Sequence, residues 1–264
     1  MKKLFLVLLA VSALLTVAVG CKSGKSGSDL TVGATPVPHA ELLNLVKEDL
    51  AKQGITLKVV EFTDYVQPNS ALISGDIDAN FFQHIPYLNS NDNWTDKLVS
   101  AFGVHVEPFG LYSEKFYKID DLPNGASIAI PNDPTNGGRA LLLLQSKGLI
   151  TLRDGAGLNA TSRDITGNPK NLRFRELEAA LLPRSLNDVD AAAINGNFAL
   201  QAGFNPLSDA LVIEGAESPY VNIVVVQKGR EQDKNIIALK NALLSQKVKD
   251  YIINTYSGGV VSIF

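Results

Sequence analysis

The chain has 264 residues, and its formal net charge at pH 7 is −3. It lacks the excess of Lys and Arg that nucleic-acid binding needs, so we expect no nucleic-acid partner. Its single cysteine excludes an internal disulfide, and its length allows two domains of about 100 to 130 residues, each with its own core.

The N-terminus has the pattern of a bacterial lipoprotein signal. Met1-Lys2-Lys3 precedes an apolar run too short to span a membrane, and that run ends Ala18-Val19-Gly20-Cys21. We expect residues 1–20 to be removed as a signal peptide. Cys21 would then carry acyl chains that anchor the protein to the lipid bilayer of the cell envelope, and the Gly/Ser-rich residues 21–28 predict a flexible tether. The alternative is an ordinary secretory signal followed by an unmodified cysteine.

The first half of the mature chain alternates predicted strands with predicted helices. Strands are predicted at 30–34, 55–62 and 77–82, and helices at 40–53 and 68–73. This order is typical of an α/β layer structure.

The third strand ends within the run Phe81-Phe82-Gln83-His84-Ile85-Pro86-Tyr87. Pro86 suits the first turn of a helix, so Phe82, Gln83 and His84 would lie at the carboxyl end of the strand. Ligands bind at that edge of open α/β sheets. The alternative is an ordinary strand-to-helix junction with core aromatics.

The second half repeats the α/β pattern from about residue 115 to 220. Asp133-Pro134 predicts a helix start, with Asp133 as the N-cap. We therefore expect two lobes, one formed by 29–110 with 226–264 and the other by 111–225. Extended segments near 106–113 and 221–227 would cross between the lobes, and the C-terminal helices would return to the first lobe. Such a pair of lobes indicates a hinged ligand trap.

Known enzyme motifs are absent from the sequence: it contains no G-x-S-x-G, P-loop, H-E-x-x-H or C-x-x-C. We therefore expect neither catalysis nor a cofactor. His39, His84 and His105, with Glu107, do not have the spacing of a compact ligand motif, so no metal site is expected.

Arg139 is the cation most suited to binding a ligand, because it comes early in the helix that begins at Asp133-Pro134. A helix N-terminus favours anions, and a guanidinium matches a carboxylate. Gly137 and Gly138 would let a ligand approach the backbone. The alternative is a solvated surface arginine.

Asn195 and Asn222 add amides that can accept from an ammonium group and donate to a carboxylate. An Asn-Gly turn is the alternative for Asn195, and Tyr65 is either a loop anchor or a pocket wall. With the aromatics, this inventory suits a small zwitterion that has an apolar or polarizable tail.

Several runs resemble one known family. These runs are Gly33-Ala34-Thr35-Pro36-Val37-Pro38-His39-Ala40, Phe82-Gln83-His84-Ile85-Pro86-Tyr87, Asn132-Asp133-Pro134-Thr135-Asn136, Leu182-Pro183-Arg184-Ser185-Leu186 and Ser218-Pro219-Tyr220-Val221-Asn222. The chain resembles the methionine-binding lipoproteins of bacterial ABC importers, the NlpA type, over essentially all of its mature length.

The resemblance implies a two-lobed, periplasmic-binding-protein-like α/β fold with two hinge crossings. It also implies that the protein delivers methionine to a permease and ATPase complex, with L-methionine as the expected ligand. Its implied aromatic wall is Tyr65, Phe81, Phe82, His84 and Tyr87. Arg139 would be the carboxylate clamp, and the partners of the amino-acid head would be Asn136, Asn195 and Asn222. Which of Phe81 and Phe82 faces the ligand stays open. The alternatives are a related amino acid or methionyl dipeptide as ligand, or a surface lipoprotein that contacts a host or envelope partner.

Overall fold

The computed structural model describes residues 29–215 and 218–264. The predicted signal peptide (1–20) and tether (21–28), with Cys21, lie outside these residues. Within the described ranges no helix is both long enough and apolar enough to cross a bilayer.

The strands and helices alternate along most of the chain. The strands are β1 Asp29–Ala34, β2 Thr56–Glu61, β3 Ala79–His84, β4 Leu98–Val106, β5 Gly110–Tyr112, β6 Ser127–Pro131, β7 Thr151–Leu152, β8 Ile165–Gly167, β9 Arg173–Leu177, β10 Ala191–Ile194, β11 Ala210–Ile213, β12 Val221–Gln227 and β13 Val261–Ser262. The α-helices are α1 Glu41–Leu45, α2 Lys47–Ala51, α3 Gln67–Ser74, α4 Ile85–Leu88, α5 Asp92–Thr95, α6 Pro134–Ser146, α7 Leu182–Ser185, α8 Gly196–Gln201, α9 Pro206–Asp209, α10 Lys234–Leu243 and α11 Gln246–Tyr256. Short 3-10 turns and an irregular helical turn at Pro36–Ala40 complete the set.

The larger sheet has six strands in the order β13-β4-β12-β3-β1-β2. Strands β1, β2 and β3 are parallel, whereas β12 is antiparallel to both β3 and β4. The sheet is buried on both faces, because Val224 and Val226 pack in the core that contains α10 and α11, while Ile223 and Val225 pack in the core that contains Leu72 of α3. A strand buried on both faces needs a continuous apolar run, which the sequence of β12 supplies.

The smaller sheet has five strands in the order β11-β5-β10-β6-β9. Strands β10, β6 and β9 are parallel, and β5 is antiparallel to both of its neighbours. The small residues of β10 let α6 and α7 pack closely on opposite faces: Ala191 and Ala193 belong to one core, and Ala192 and Ile194 to the other.

The chain passes between the sheets twice. It leaves the larger sheet after β4 ends at Val106 and reaches the smaller sheet at Gly110, inside the predicted range 106–113. The second crossing was predicted at 221–227, but those residues form β12, so the chain returns between Ile213 and Val221. This prediction is wrong because a central apolar strand and an extended linker give the same local signal. The predicted lobe limit at residue 225 would cut β12 in two.

The C-terminal helices pack where the sequence placed them. Ile236 and Leu239 of α10 and Ile252 of α11 share one core with Leu30 and Val32 of β1. The larger sheet is therefore built from both ends of the described chain, and the smaller sheet from its middle.

Candidate functional site

A cavity that opens to solvent lies between the two sheets, with about 330 Å³ of space between its lining atoms when the adjoining open solvent is included. Its position follows from the topology, since β3, β6 and β10 all end beside it and the β4–β5 crossing borders it. Its lining residues are Tyr65, Phe82, Gln83, His84, Tyr87, Glu107, Asn136, Arg139, Asn195, Gly196, Asn197 and Asn222. Eight of the nine side chains predicted to bind a ligand are in this set, and Phe81 is the exception.

Aromatic rings form one wall of the cavity. The ring of Tyr65 lies 5.9 Å from the rings of both Phe82 and Tyr87, and 4.9 Å from that of Phe198. The Tyr87 hydroxyl donates to the Tyr65 carbonyl oxygen at 2.9 Å, and the Tyr65 hydroxyl donates to Asn197 Oδ1. Both phenols are thus held by the protein, and burial raises the pKa of Tyr65 well above its usual value.

Phe81 lies on the opposite face of β3. Its side chain is fully buried in the core of the larger sheet, and its ring is 4.6 Å from the His39 ring and 5.4 Å from the His105 ring. Phe82 lines the cavity instead. Successive side chains on a strand point to opposite faces, so Phe81 and Phe82 cannot both line the cavity. The prediction of Phe81 as a lining residue is wrong.

His84 joins the aromatic wall to the smaller sheet. Its Nδ1 accepts from the Tyr87 backbone N–H at 3.1 Å, so the proton of the neutral ring is on Nε2, which lies 3.3 Å from Asn136 Oδ1. Burial, reinforced by the charge of Arg139, lowers the pKa of His84 to about 3. The ring is therefore neutral at physiological pH.

Arg139 is buried and already has an ionic partner. Its Nε donates to Glu214 Oε1 at 2.9 Å, and its Nη2 donates to the Glu107 carbonyl oxygen at 2.9 Å. The guanidinium carbon lies 4.1 Å from the ring centre of Tyr220. Among the described residues no hydrogen bond uses Nη1. Arg139 therefore has one nitrogen free to donate to a ligand carboxylate, and not the two-nitrogen bidentate contact that the sequence suggested.

Asn136 is held by its neighbours. Its Nδ2 donates to both carboxylate oxygens of Asp133 at 3.0 Å, and its Oδ1 accepts from Asn195 Nδ2 at 2.8 Å. Asp133 also accepts from the Asn136 backbone N–H, which confirms Asp133 as the N-cap of α6. Asn136 therefore positions Asn195 and His84 and has little hydrogen-bonding capacity left for a ligand.

Other amides at the cavity are only partly hydrogen-bonded. Asn195 Oδ1 and Asn197 Nδ2 are buried with no hydrogen bond in the described structure. Asn222 Oδ1 lies 3.1 Å from His39 Nε2, which leaves its Nδ2 to donate. Buried polar atoms are normally paired, so these atoms indicate a polar ligand between the sheets.

His39, His105 and Glu107 form a buried cluster at the edge of the cavity, which Glu107 also lines. Each contributes one atom to a set that lies within 4.8 Å, close enough to hold a metal ion. Their sequence spacing did not reveal this, because the fold brings β4 against the turn at Pro36–Ala40. Hydrogen bonding accounts for the geometry without an ion, since His105 Nε2 lies 2.8 Å from Glu107 Oε1 and His39 Nε2 lies 3.1 Å from Asn222 Oδ1.

The comparison with known families agrees with this architecture. The sequence model described as NlpA lipoprotein matches residues 30–264. The chain belongs to the NlpA lipoprotein family.

Relatives in the NlpA family are similar over nearly their whole length. The methionine-binding lipoprotein MetQ of Bacillus subtilis is 43% identical, with 100% of this chain and 99% of that protein covered. The D-methionine-binding lipoprotein MetQ of Yersinia pestis is also 43% identical, over 96% of each chain. A nutrient binding protein from Burkholderia cenocepacia, solved bound to methionine, has a TM-score of 0.86 and 47% identity over 89% of this chain and 100% of that one.

Two glycines of this NlpA-family chain have a different role from the one predicted. A Cβ on Gly137 would lie 2.9 Å from the Pro131 carbonyl oxygen, and one on Gly138 would lie 2.1 Å from that of Leu158. Neither glycine lines the cavity. They let α6 pack closely against backbone, so the prediction that they admit the ligand is wrong.

The predicted set of ligand-binding residues left out four lining residues of this family member: Gln83, which was placed at the strand end but not assigned to the site, Glu107, Gly196 and Asn197. Gln83 and Asn197 lie close in sequence to residues that were predicted to bind the ligand at strand ends, and this position could have identified them. Gly196 is small because a Cβ there would lie 2.6 Å from the Glu107 Cβ. Glu107 carried no local signal, since its surroundings come from distant parts of the chain.

Proposed function

We propose that this chain captures methionine in the cavity between its two sheets and delivers it to an ABC importer. The main support is that one cavity combines an aromatic wall with a guanidinium nitrogen and with amide atoms that have no hydrogen-bond partner among the described residues. Methionine has a matching structure, because its thioether suits aromatic rings and its zwitterionic head suits the polar groups. Each sulfur–aromatic contact adds about 0.3–1.5 kcal/mol.

The polar groups divide by type in a way that supports an amino-acid head. Arg139 Nη1, Asn197 Nδ2 and Asn222 Nδ2 are donors for a carboxylate, whereas Asn195 Oδ1 is an acceptor for an ammonium group. The L enantiomer is proposed as the main ligand. Related proteins are named for methionine and for D-methionine, so both enantiomers belong in the test.

We further propose that the larger sheet, with α10 and α11, forms one lobe and the smaller sheet the other. The lobes would hinge at the two crossings, between β4 and β5 and between β11 and β12, and close over the ligand. Acyl chains on Cys21 would hold the protein at the membrane, near the permease and ATPase of the importer. In a Cys21→Ser variant the protein should leave the membrane fraction of detergent-free lysates; retention there would contradict this anchor.

Mass spectrometry of small molecules released from the purified, denatured protein tests the proposed ligand. Stoichiometric methionine is expected, and calorimetry on the stripped protein should show L-methionine binding more tightly than D-methionine. An empty protein that binds neither enantiomer would contradict the proposal and favour the alternative of a surface lipoprotein acting through a host or envelope partner.

A further inference from the structure

The two crossings between the sheets run side by side. At one end β5 pairs with β11 in the smaller sheet, and at the other end β4 pairs with β12 in the larger sheet. Between these ends the Glu214 backbone N–H donates to the Phe109 carbonyl oxygen at 2.8 Å, so the second crossing is bonded directly to the first. A rotation of one sheet against the other must therefore change both crossings at once.

Arg139 contacts both crossings, although it belongs to α6 beside the smaller sheet. Its Nη2 donates to the Glu107 carbonyl oxygen in the first crossing at 2.9 Å. Its guanidinium carbon lies 5.1 Å from the ring centre of Phe109 in the first crossing and 4.1 Å from that of Tyr220 in the second. The position of this one side chain thus depends on the path of both segments.

Glu214 fixes the orientation of the Arg139 guanidinium. Its Oε1 and Oε2 accept from Nε at 2.9 and 3.1 Å, and Oε2 also accepts from Nη2. A carboxylate that engages two nitrogens of the planar fork sets the plane of the guanidinium. Glu214 is not among the residues that line the cavity, so any effect it has on a ligand must act through Arg139.

Ser218 links the Glu214 carboxylate to the end of the second crossing. Its hydroxyl donates to Glu214 Oε2 at 3.3 Å and accepts from the Tyr220 backbone N–H at 3.3 Å. The start and the end of this crossing are therefore joined through one hydroxyl and one carboxylate. Because the same carboxylate holds Arg139, a change in the path of the second crossing is transmitted to the guanidinium.

Stability alone is a weak reason for this ion pair. The side chains of Arg139 and Glu214 are 4% and 18% exposed, and removing such charges from water offsets much of their attraction. What the pair does provide is a fixed geometry between α6 and both crossings.

We propose that Glu214 is a positioning residue that couples ligand capture to lobe closure. This inference rests on the proposed function, in which the lobes close over methionine, and it assigns the coupling to a side chain outside the cavity. On the closed path of the crossings Glu214 directs Arg139 Nη1 to the ligand, and a ligand bound to Nη1 favours that path in return. Binding and closure then stabilise each other by the same free energy.

The test measures lobe closure separately from affinity. Dyes on Lys52→Cys and Lys147→Cys report the distance between the lobes by energy transfer, and Cys21→Ser removes the single native cysteine. Lys52 precedes β2 and Lys147 follows α6, so both exposed positions lie at the ends of the sheets away from the cavity. Calorimetry gives the methionine affinity of the same proteins.

The expected result is a loss of closure that saturating methionine does not restore. Without other substitutions methionine should change the transfer efficiency. In Glu214→Ala the change at saturation should be about half as large or less, and affinity should fall about tenfold because binding no longer draws on closure. Glu214→Gln keeps an oxygen that accepts from Nε but loses the charge, so it should lie between the two.

Full closure of Glu214→Ala at saturating methionine would overturn the inference, whatever its affinity. Tighter binding with full closure would show instead that Glu214 competes with the ligand for Arg139. If Glu214→Ala does not fold, Glu214→Gln decides, and full closure of that variant overturns the inference in the same way.

Asp164→Ala is the matched control. Asp164 also pairs with an arginine beside the smaller sheet, Arg153, but neither residue contacts a crossing through this pair. The variant should keep its transfer efficiency at saturation and its methionine affinity within about twofold.

Two results for the labelled protein without other substitutions separate this inference from the proposed function. Methionine binding with no change in transfer efficiency would overturn the coupling and leave methionine capture standing. The absence of any methionine binding would overturn the proposed function, and this inference with it.

Discussion

The two walls of the cavity have different chemistry. The wall from the larger sheet consists mainly of rings whose hydroxyl groups are already bonded within the protein, as the Tyr87–Tyr65 contact shows. The wall from the smaller sheet and its crossing contains Arg139, Asn195 and Asn197, several of whose polar atoms lack partners. One wall is therefore suited to recognising shape and polarizability, and the other to charge and hydrogen bonding.

This division makes the site dependent on both sheets. A ligand side chain against the rings gains burial and dispersion, which tolerate variation in structure. A charged head against the polar wall needs each group in place, since a buried charge without its partner is costly. Substitutions on the two walls should thus differ in how strongly they affect ligand selectivity.

The largest expected effect is on the free energy of unfolding, and it concerns Phe81, which lies in the core of the larger sheet and does not line the cavity. Phe81→Ala should lower the free energy of unfolding by about 3–5 kcal/mol, because it leaves a cavity in a closed core. Denaturant titration measures this loss, and the folded variant should bind methionine with an affinity within about threefold of wild type.

Phe82→Ala is the matched variant on the cavity side of β3, and it should show the reverse pattern. Its loss of stability should be smaller because the side chain already borders a cavity, while its methionine affinity should fall further than that of Phe81→Ala. Identical behaviour of the two variants would contradict the assignment of the two faces of β3.

Arg139→Ala should weaken methionine binding by at least tenfold, about 1.4 kcal/mol or more, measured by calorimetry. The loss arises because the ligand carboxylate loses its cation and Glu214 is left unpaired. Arg153, whose side chain is 62% exposed and paired with Asp164, provides the control; Arg153→Ala should change affinity by less than about 0.5 kcal/mol. Unchanged affinity in Arg139→Ala would place the carboxylate elsewhere.

A smaller effect concerns the contact between the walls. Tyr65→Phe removes the hydroxyl that donates to Asn197 Oδ1 and so frees the Asn197 amide to rotate. Methionine affinity should fall by about 0.5–1.5 kcal/mol, the usual contribution of one hydrogen bond. Tyr117→Phe, at a residue 92% exposed, should leave affinity unchanged. No loss in Tyr65→Phe would show that the polar wall is held without the aromatic one.

The last predicted effect is a pH dependence of stability through His84. Its pKa is lowered from 6.5 to about 3 in the folded protein, so between these values the unfolded chain binds the additional proton. The contribution is fully present above pH 6.5 and is lost as pH falls toward 3, at no more than about 1.4 kcal/mol per pH unit. Urea titrations at pH 7, 6 and 5 should show a shallower fall in His84→Gln than in wild type. Equal slopes would mean that protonation of His84 does not couple to folding.

Local patterns in the sequence were sufficient for much of the fold and for the chemistry of the site. The alternation of elements, the N-cap at Asp133 and the placement of His84 at the end of β3 depend on neighbouring residues, so short segments contain the information. The side chains at strand ends could be proposed as ligand-binding for the same reason.

Long-range packing determined the features that were predicted wrongly or missed. The sequence implied that Phe81 and Phe82 point opposite ways, but the pairing of β3 inside a sheet buried on both faces selected Phe82 for the cavity. Val221–Gln227 is extended as predicted, yet whether an extended segment crosses or pairs depends on its neighbours β3 and β4. The surroundings of Glu107 arise in the same way, because His39, Arg139 and Gly196 reach it from elements far apart in the chain. Local sequence thus sets which groups are available, and the pairing of distant segments sets which of them meet.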